Sequence, residues 1–418
     1  MSKNVMKVII SGAGIGGLTT ALCLHKIGCD VEIFEAVSEL RPLGVGINLL
    51  PHGAAVLHSL GLGQKLDEFG VRTRAIEYRT RYGHVITSDP RGVEAGFEFP
   101  QYSIHRGLLQ FLLLDAVRER LGANVIKTGI GINSFSQSND LATAHLTKGE
   151  KGSAVGTVDG SILIGADGFH SALRKQLHPN EGPPRYEGMM MWRGISEQDS
   201  FGDGRTMFIA GNHDVKLVCY PISNKTKQSE TVRINWVAEH REDGPRRAIA
   251  ADWNRPGTSD FIEHFRNFEM NDINIVALLQ NTKHIFEYPM VDRDPLAWWT
   301  KGRVTILGDA AHPMYPVGAN GASQAILDGK ALADALSTYG PVEGLSAYEN
   351  DRLGKTTDVI LANREWGPER VLDIADERIN RSGDRVEDHV TEDEIEAVAR
   401  RYREVAGFQK KTESEEGK

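Results

Sequence analysis

A glycine-rich segment near the start of the chain has the composition of a phosphate-binding turn. It reads Gly12-Ala13-Gly14-Ile15-Gly16-Gly17, with glycines at the three positions of a dinucleotide fingerprint. Such glycines permit a tight turn and let backbone amides approach a pyrophosphate at a helix amino terminus. Glu35 follows at the usual spacing of ~20 residues, where a carboxylate binds ribose hydroxyls. The segment predicts dinucleotide binding; the alternative is a strand-to-helix turn without a ligand.

Two later segments combine glycine with an acidic residue. They are Gly165-Ala166-Asp167-Gly168-Phe169-His170-Ser171-Ala172-Leu173-Arg174 and Gly308-Asp309-Ala310-Ala311-His312-Pro313. From residue type alone, Asp309 is either a ligand-binding carboxylate or a helix cap. Asp167 and Arg174 either contact a ligand or form a salt-bridged surface loop.

The stretch after the second segment predicts a seat for negative charge. It reads Pro316-Val317-Gly318-Ala319-Asn320-Gly321 and precedes a predicted helix over Ala322–Leu336. Gly318 and Gly321 leave backbone amides free at the start of that helix, where the helix dipole favours an anion.

The elements that must position these residues are readable from hydrophobic spacing. Residues 7–11 and 31–34 predict buried strands around a helix over 15–27, which together make a β-α-β unit. A packing helix is predicted over Gly107–Leu121, and two strands around an Asp-Gly turn over Thr157–Ile164. Residues from about 183 to 289 alternate as in a one-sided antiparallel sheet. Beyond Arg364 we expect surface helices and a disordered tail.

Composition excludes several classes of protein. The 418 residues carry a formal net charge of −9, which disfavours a nucleic-acid partner. The three cysteines, Cys23, Cys29 and Cys219, predict neither a disulfide framework nor a zinc site, and so favour the cytoplasm. The chain has no unbroken apolar run of ~18 residues and no signal-peptide pattern at Met1, so no membrane association is expected.

The three motifs, in this order, make the chain resemble the single-component FAD-dependent aromatic hydroxylases related to p-hydroxybenzoate hydroxylase. The resemblance implies an α/β fold: a Rossmann-like FAD-binding domain, an inserted antiparallel-sheet substrate domain and a C-terminal helical segment. The implied FAD-binding domain comprises residues 1–75, 100–180 and 290–365. The implied substrate domain comprises 76–99 and 181–289, and the C-terminal segment comprises 366–418.

Four further segments resemble one branch of that family, the phenazine-carboxylate monooxygenases and salicylate hydroxylase-like enzymes. They are Pro90–Gly96, Met191–Gly194, Tyr288–Leu296 and Ile360–Glu365. The sequence departs from the branch at Pro313, at Val317 and beyond residue 370, which leaves another aromatic substrate open.

The resemblance implies roles for individual residues. Asp309 would contact the ribityl chain, and Arg106 the phosphates or ribityl chain. Pro316 and Gly318 would lie beside the reacting part of the flavin and act in catalysis. The cofactor-binding residues would be Gly12, Gly14, Ile15, Gly16, Gly17, Glu35, Arg41, Gly46, Arg106, Asp167, Asp309, Gly318, Gly321 and Ala322.

Substrate contacts are predicted from the sheet domain, because flat apolar walls suit a planar ring. The candidates are Trp192, Tyr220, Trp236 and Met290, together with Pro316. Each aromatic or methionine candidate could instead be a core residue. His52 and Arg193 are further candidates.

The implied reaction needs FAD, NADH or NADPH, and O₂, and no metal. NAD(P)H reduces FAD, O₂ adds at flavin C4a, and the protonated peroxide donates an oxygen atom to the ring, in the phenazine case with loss of a carboxylate. The expected partner is a small aromatic molecule, and the expected assembly is a homodimer. The alternatives are a flavin dehydrogenase or oxidase, a hydroxylase of a hydroxybenzoate, pyridine or quinolone, and a dinucleotide-sensing protein without turnover.

Overall fold

The computed structural model describes residues 5–42, 44–225, 231–242, 255–379 and 381–405, the side chains of the last five excepted. The strands are β1 (Lys7–Ser11), β2 (Asp30–Glu35), β3 (Gly46–Leu49), β4 (Val71–Thr73), β5 (Ala75–Arg79), β6 (Val85–Pro90), β7 (Gln101–His105), β8 (Ile126–Thr128), β9 (Ile130–Gln137), β10 (Ala142–Lys148), β11 (Ala154–Gly160), β12 (Ile162–Gly165), β13 (Arg185–Gln198), β14 (Thr206–Gly211), β15 (Val215–Pro221), β16 (Val232–Arg241), β17 (Phe286–Asp292) and β18 (Val304–Ile306). The α-helices are α1 (Ile15–Lys26), α2 (Pro51–Ser59), α3 (Gly63–Phe69), α4 (Arg106–Leu121), α5 (Ala172–Leu177), α6 (Ile275–Gln280), α7 (Gly321–Tyr339), α8 (Pro341–Arg364), α9 (Arg370–Arg378) and α10 (Glu392–Val405).

A parallel sheet forms the first layer, in the order β18-β12-β1-β2-β8. Its central strands are almost wholly apolar because helices cover the sheet and leave them buried: Val8, Ile9 and Ile10 have no exposed surface. Helix α1 packs against α4 and α7. The predicted β-α-β unit is therefore present, and it places the glycine turn at the carboxyl end of β1.

The predicted pair of strands over 157–164 is not a hairpin. Strand β11 pairs antiparallel with β10 in a separate sheet of the order β11-β10-β9. Strand β12 pairs parallel with β1 instead. The Asp159-Gly160 turn signal therefore marks a change of sheet, because the following apolar strand is buried in the parallel layer.

A seven-stranded sheet forms the second layer, in the order β17-β13-β16-β15-β14-β5-β6. Strands β5 and β14 pair parallel, so the sheet is mixed and not purely antiparallel. One of its faces packs on an apolar cluster that contains Trp236 and Phe261. The other face bounds the cavity described below, so both faces are covered and the expectation of a one-sided sheet is wrong.

The C-terminal segment is more integrated than expected. Helix α9 buries Val371, Leu372 and Ala375 in a cluster shared with Ile76 and Tyr78 of β5. It is therefore part of the core and not a surface helix, since its apolar positions cover the sheet. The tail expected to be disordered lies largely outside the described residues. No helix in the described ranges is both long and apolar enough to cross a membrane.

Candidate active site

A cavity of about 560 Å³ separates the parallel sheet from the seven-stranded sheet. On one side its lining follows the carboxyl ends of three parallel strands: Gly14–Gly16 after β1, Ala166, Gly168 and Phe169 after β12, and Leu307–Asp309 after β18. Ligands of open α/β sheets bind at this edge of the strands. We call the part of the cavity bounded by the seven-stranded sheet the chamber.

Two glycines of the first motif are required by the fold of the turn. Gly12 has φ +100°, and a Cβ atom there would lie 2.4 Å from the carbonyl oxygen of Ala166. A Cβ atom at Gly17 would lie 2.1 Å from the carbonyl oxygen of Gly12. Neither glycine lines the cavity. Both shape the turn and do not themselves face a ligand.

Gly14 has a different role because it faces open space. Apart from Gly14 and its two chain neighbours, no atom of the described residues lies within 4 Å of the position of a Cβ at Gly14. Helix α1 begins directly after it with no side-chain cap from the described part of the chain. Gly14, Ile15 and Gly16 line the cavity, and the first backbone amides of α1 have no acceptor within the helix. Such amides can donate hydrogen bonds to a pyrophosphate.

Glu35 ends β2 beside this turn. Its two carboxylate oxygens accept hydrogen bonds from the amides of Ala13 and Val37, each at 2.9 Å. The carboxylate is therefore held next to the glycine turn.

Asp309 and Arg106 present opposite charges to the cavity. Both side chains are exposed there, although protein surrounds them. Burial raises the pKa of Asp309, while His312 and Arg106 oppose the shift. Burial likewise lowers the pKa of Arg106, and Asp309 opposes it. Asp309 lies in a 3₁₀ turn directly after β18 and makes no hydrogen bond through its carboxylate to the described residues, so the carboxylate is open to a ligand.

A buried charge network fixes the backbone that carries Asp309. Asp328 of α7 accepts hydrogen bonds from the amide of Gly308 at 2.9 Å and from Nε2 of His312 at 2.6 Å. Its other oxygen accepts from Nε of Arg352 at 2.8 Å. Asp328 has no exposed surface and does not line the cavity. It is a positioning residue that nothing in the sequence motifs singled out.

The Asp-Gly motif is a structural brace. Oδ2 of Asp167 accepts from the amide of Ala172 at 3.0 Å, at the start of α5, and Asp167 does not line the cavity. Arg174 donates to the carbonyl oxygens of Ala310 and Ala311 at 3.0 and 2.8 Å and pairs with Glu181. Both side chains therefore tie this motif to the fold, with Arg174 holding the Gly-Asp segment.

The segment before α7 bends sharply at the cavity. Gly318 has φ +68°, and Ala319, which is not a glycine, has φ +56°, a costly conformation that clusters at functional sites. Pro316, Gly318, Gly321 and Ala322 all line the cavity, and α7 starts without a side-chain cap from the described chain. The predicted seat for negative charge is thus open to a ligand.

Arg41 and Gly46, two of the predicted cofactor-binding residues, differ in their position relative to the cavity. Arg41 is 66 % exposed and pairs with Glu39 at 2.7 Å, away from the cavity lining. Gly46 lines the cavity, and its amide donates to Oδ1 of Asn235 at 2.6 Å. A Cβ atom at Gly46 would lie 2.7 Å from Asn235 Cβ, so the glycine permits β3 to approach β16 of the seven-stranded sheet.

Among the aromatic and methionine candidates of the sheet, Tyr220 alone lines the chamber, and the further candidate Arg193 lines it too. Trp192 and Trp236 point to the other face of the sheet, where both stack on Phe261. Met290 does not line the cavity but packs in one apolar cluster with Met191, which does. Side chains alternate along a strand, so the neighbours of the two tryptophans face the chamber in their place.

Sequence reasoning therefore missed most of the chamber wall. The sheet residues that line it are Ile76, Tyr78, Met191, Arg193, Met207, Ile209, Val218, Tyr220, Val237, Glu239, Phe286 and Val291. Val218 and Tyr220 are two residues apart, as are Val237 and Glu239, so alternation along the strand predicts that the members of each pair share a face. The sequence did not indicate which face meets the chamber. Arg193 brings a cation into this wall. Pro368 and Glu369 complete it from the C-terminal segment.

These features fit FAD. The uncapped start of α1 and the open space at Gly14 suit its pyrophosphate, and the Glu35 carboxylate beside them suits a ribose. Asp309 offers a carboxylate that accepts no hydrogen bond from the described residues further along the same cavity, and the start of α7 offers amides for a charged ring. The fold and the cavity define a flavin-binding protein with an adjoining apolar chamber.

The comparisons with known proteins agree. Residues 5–362 match the family of FAD-binding domains. The chain is 44 % identical over 362 residues to the phenazine 1,6-dicarboxylic acid hydroxylase of Lysobacter antibioticus, which covers 86 % of this chain and 89 % of that protein. It is 32 % identical over 370 residues to the 3-amino-4-hydroxybenzoate 2-monooxygenase of Streptomyces cremeus, with 86 % of each chain covered. The chain belongs to this family of FAD-dependent aromatic hydroxylases.

Solved structures share the fold. Klebsiella pneumoniae HpxO complexed with FAD and uric acid superposes with a TM-score of 0.73 at 24 % identity, over 96 % of this chain and 94 % of that one. A salicylate hydroxylase substrate complex gives a TM-score of 0.73 at 20 % identity, over 98 % and 97 %. The predicted fold class, cofactor and family are confirmed.

Proposed function

We propose that this hydroxylase acts on a planar N-heteroaromatic carboxylate of the phenazine type, with NAD(P)H as the electron donor. The observation that carries the proposal is a largely apolar chamber with Arg193 in its wall, joined to the residues that suit FAD. The wall is built mainly of Ile, Val, Met and Tyr side chains, which suit a flat ring.

Arg193 is the group that would select a carboxylate. It lies across β13–β16 from Val237, which shares its face of the sheet. Burial lowers the pKa of Arg193 to about 10, so the guanidinium still carries its charge at neutral pH. A guanidinium binds a carboxylate with two parallel hydrogen bonds, which also fixes the plane of the attached ring.

The relatives support this choice. The names of the Lysobacter and Streptomyces enzymes both denote aromatic carboxylic acids as substrates. The higher identity, 44 % against 32 %, favours the tricyclic heteroaromatic over the single ring.

Four groups of residues would do the protein's part of the work. Gly14–Gly16 with Glu35 would hold the adenosine half of FAD, and Asp309 with Arg106 the ribityl and phosphate region. The amides before α7 would stabilise negative charge on the ring. The chamber wall would exclude water, and Pro316 would pack where flavin and substrate meet. When bound, FAD accepts electrons from NAD(P)H and uses O₂ to oxygenate the substrate.

The test is turnover with product analysis. The purified holoenzyme is mixed with NADH or NADPH and a panel of phenazine, hydroxybenzoate, pyridine and quinolone carboxylic acids under ¹⁸O₂. A phenazine-type acid that gains one ¹⁸O atom, with NAD(P)H consumed in equal amount, supports the proposal. If only a benzoate or pyridine acid gives labelled product, the proposed phenazine-type substrate is wrong and that acid defines the substrate class. Hydrogen peroxide without labelled product from any ring would indicate an oxidase.

Arg193→Met gives the residue-level test. It should raise the KM for the carboxylate at least tenfold, because a charged hydrogen bond contributes about 1.5–3 kcal/mol. Flavin content should not change. The control, Arg185→Met, alters an exposed arginine of the same strand that pairs with Glu187 outside the cavity lining.

A cytoplasmic location, a homodimer and the absence of a nucleic-acid partner remain part of the proposal. The scarcity of cysteine supports the cytoplasmic location, and the acidic net charge supports the absence of a nucleic-acid partner. Sedimentation at micromolar concentration tests the dimer.

A further inference from the structure

A cluster of three buried charges closes one end of the chamber. Its members are Lys216 of β15, Glu239 of β16 and Glu369 of the C-terminal segment, with 2 %, 3 % and 6 % of their surface exposed. Lys216 Nζ contacts Glu239 at 2.9 Å and donates a hydrogen bond to Glu369. Neither the cofactor fit nor the proposed reaction uses these groups.

The strand register locates the cluster along the chamber. Lys216 pairs with Glu239, and four residues further along the same strands Tyr220 pairs with Asn235, which binds the amide of Gly46. At 3.3 Å per residue the two ends of the wall lie about 13 Å apart. Arg193 pairs with Val237 and so lies between them, about 7 Å from the cluster along the strand.

The carboxylates, and not the ammonium group, face the chamber. Glu239 and Glu369 line the cavity, whereas Lys216 does not. Lys216 is occupied by both carboxylates and lies 4.8 Å above the ring of Trp366. Oε2 of Glu239 is buried and contacts Lys216 Nζ at 2.9 Å. An ionised carboxylate has about four acceptor sites on two oxygens, so each glutamate keeps spare acceptor capacity beyond its contact with Lys216.

The net charge of the cluster also favours a ligand that donates a hydrogen bond to it. Two carboxylates share one ammonium, so the end wall carries one excess negative charge when both carboxylates are ionised. Burial raises the pKa of Glu239, with Lys216 opposing the shift and Glu369 adding to it. Such a wall attracts a hydrogen-bond donor and repels a second carboxylate.

We infer that Glu239 and Glu369 determine substrate specificity by accepting a hydrogen bond from a hydroxyl or N–H group on the ring end remote from the carboxylate bound at Arg193. The inference rests on the proposed function for the ring itself. The inferred specificity disfavours a dicarboxylic acid as the substrate of this chain. Glu369 lies beyond residue 362, where the match to the FAD-binding family ends, so the C-terminal segment supplies part of the specificity.

The experiment measures ligand affinity by perturbation of the flavin absorbance of the oxidised holoenzyme, without turnover. The ligands are phenazine-1-carboxylic acids that carry a hydroxyl, a methoxy or a second carboxylate on the distal ring. The wild-type enzyme should bind the hydroxyl compound at least tenfold more tightly than the other two, since a charged acceptor discriminates strongly against a missing donor.

Glu239→Met removes the spare acceptor and leaves Lys216 paired with Glu369. The preference for hydroxyl over methoxy should fall below about threefold, and the dicarboxylate should gain affinity. Glu369→Gln provides the same comparison if Glu239→Met does not fold. The control, Glu77→Gln, alters an ion pair with Arg79 on β5, a strand of the same sheet that adjoins neither β15 nor β16, and Glu77 lies outside the cavity lining. This variant should keep the wild-type preference.

The outcomes separate the two proposals. An unchanged preference in both glutamate variants, or a wild-type enzyme that binds the dicarboxylate as tightly as the hydroxyl compound, overturns the inference alone. If no phenazine acid perturbs the flavin of the wild-type enzyme, the proposed substrate class falls and the inference falls with it.

Discussion

The flavin side and the substrate side of the cavity are built in different ways. On the flavin side, three of the lining segments directly follow parallel strands: Gly14–Gly16 follow β1, Ala166, Gly168 and Phe169 follow β12, and Gly308–Asp309 follow β18. On the substrate side, the wall collects single residues from strands as distant in sequence as β5 and β17, and from the segment around Glu369. A site made of contiguous segments has a sequence signature, and a site made of single alternating residues has none.

The buried charges of the two sides differ in the same way. Every polar contact of Asp328 is internal: His312, Arg352 and the amide of Gly308 satisfy it, and it does not line the cavity. In the cluster at Lys216, by contrast, two carboxylates face the chamber. A closed network positions backbone, whereas an open one is available to a ligand.

Removal of Asp328 should have the largest effect. Asp328→Ala leaves Arg352 buried without its carboxylate and releases the Gly308 turn, so unfolding free energy should fall by about 3–5 kcal/mol and FAD should be lost on gel filtration. In the control Asp334→Ala, the carboxylate lies on the same helix but is 62 % exposed and pairs with Lys330; its loss should cost under about 0.5 kcal/mol. Equal losses in the two variants would contradict a special role for Asp328.

Acid should weaken the same network. Burial favours the protonated form, but His312 and Arg352 outweigh it and lower the pKa of Asp328 from 3.8 to about 2. A depressed folded-state pKa gives stability that is present above pH ~4 and is lost as the pH falls towards 2, here about 2 kcal/mol. The difference in unfolding free energy between wild type and Asp328→Asn should shrink by that amount between pH 5 and pH 2. If the difference in unfolding free energy stays constant, Asp328 does not titrate in this pH range.

Two alanine substitutions in one turn should separate folding from ligand contact. Gly17→Ala places Cβ 2.1 Å from the Gly12 carbonyl oxygen, so the turn must open at a cost of about 1–3 kcal/mol or more. Gly14→Ala meets open space, and its φ of −75° suits alanine. The melting temperature of the apoprotein should fall only in Gly17→Ala, whereas FAD affinity should fall in both. A Gly14→Ala protein with normal FAD affinity would show that the pyrophosphate lies elsewhere.

Asp309→Ala should weaken FAD retention without unfolding the chain, because the side chain faces the cavity. Loss of one charged hydrogen bond corresponds to a Kd raised about ten- to a hundredfold. Quenching of flavin fluorescence on titration of the apoprotein measures it, and Asp309→Asn should retain part of the affinity. Unchanged flavin affinity in Asp309→Ala would exclude Asp309 from the cofactor site.

The difference between the two sides also explains how far the sequence was informative. The glycine turn, Glu35 and the start of α7 were predictable because each lies within a few residues of a recognisable strand or helix. Trp192 and Trp236 were proposed for the chamber because of their chemistry, but alternation directs them to the other face. The roles of Asp328 and Glu369 could not be predicted from the sequence, because their partners come from remote parts of the chain and only the folded structure brings them together.

The smallest predicted effect tests that alternation. Tyr220→Phe removes one hydroxyl from the chamber wall and should raise the Kd of the substrate about threefold, within the 0.5–1.5 kcal/mol of an ordinary hydrogen bond. Trp192→Phe changes the opposite face, where Trp192 stacks on Phe261 at 4.9 Å, and should lower the melting temperature while leaving the Kd unchanged. Flavin absorbance titration and thermal unfolding on the same samples give both quantities. A Kd that responds to Trp192 and not to Tyr220 would mean that substrate binds against the other face of the sheet, and the chamber would then have to be reassigned.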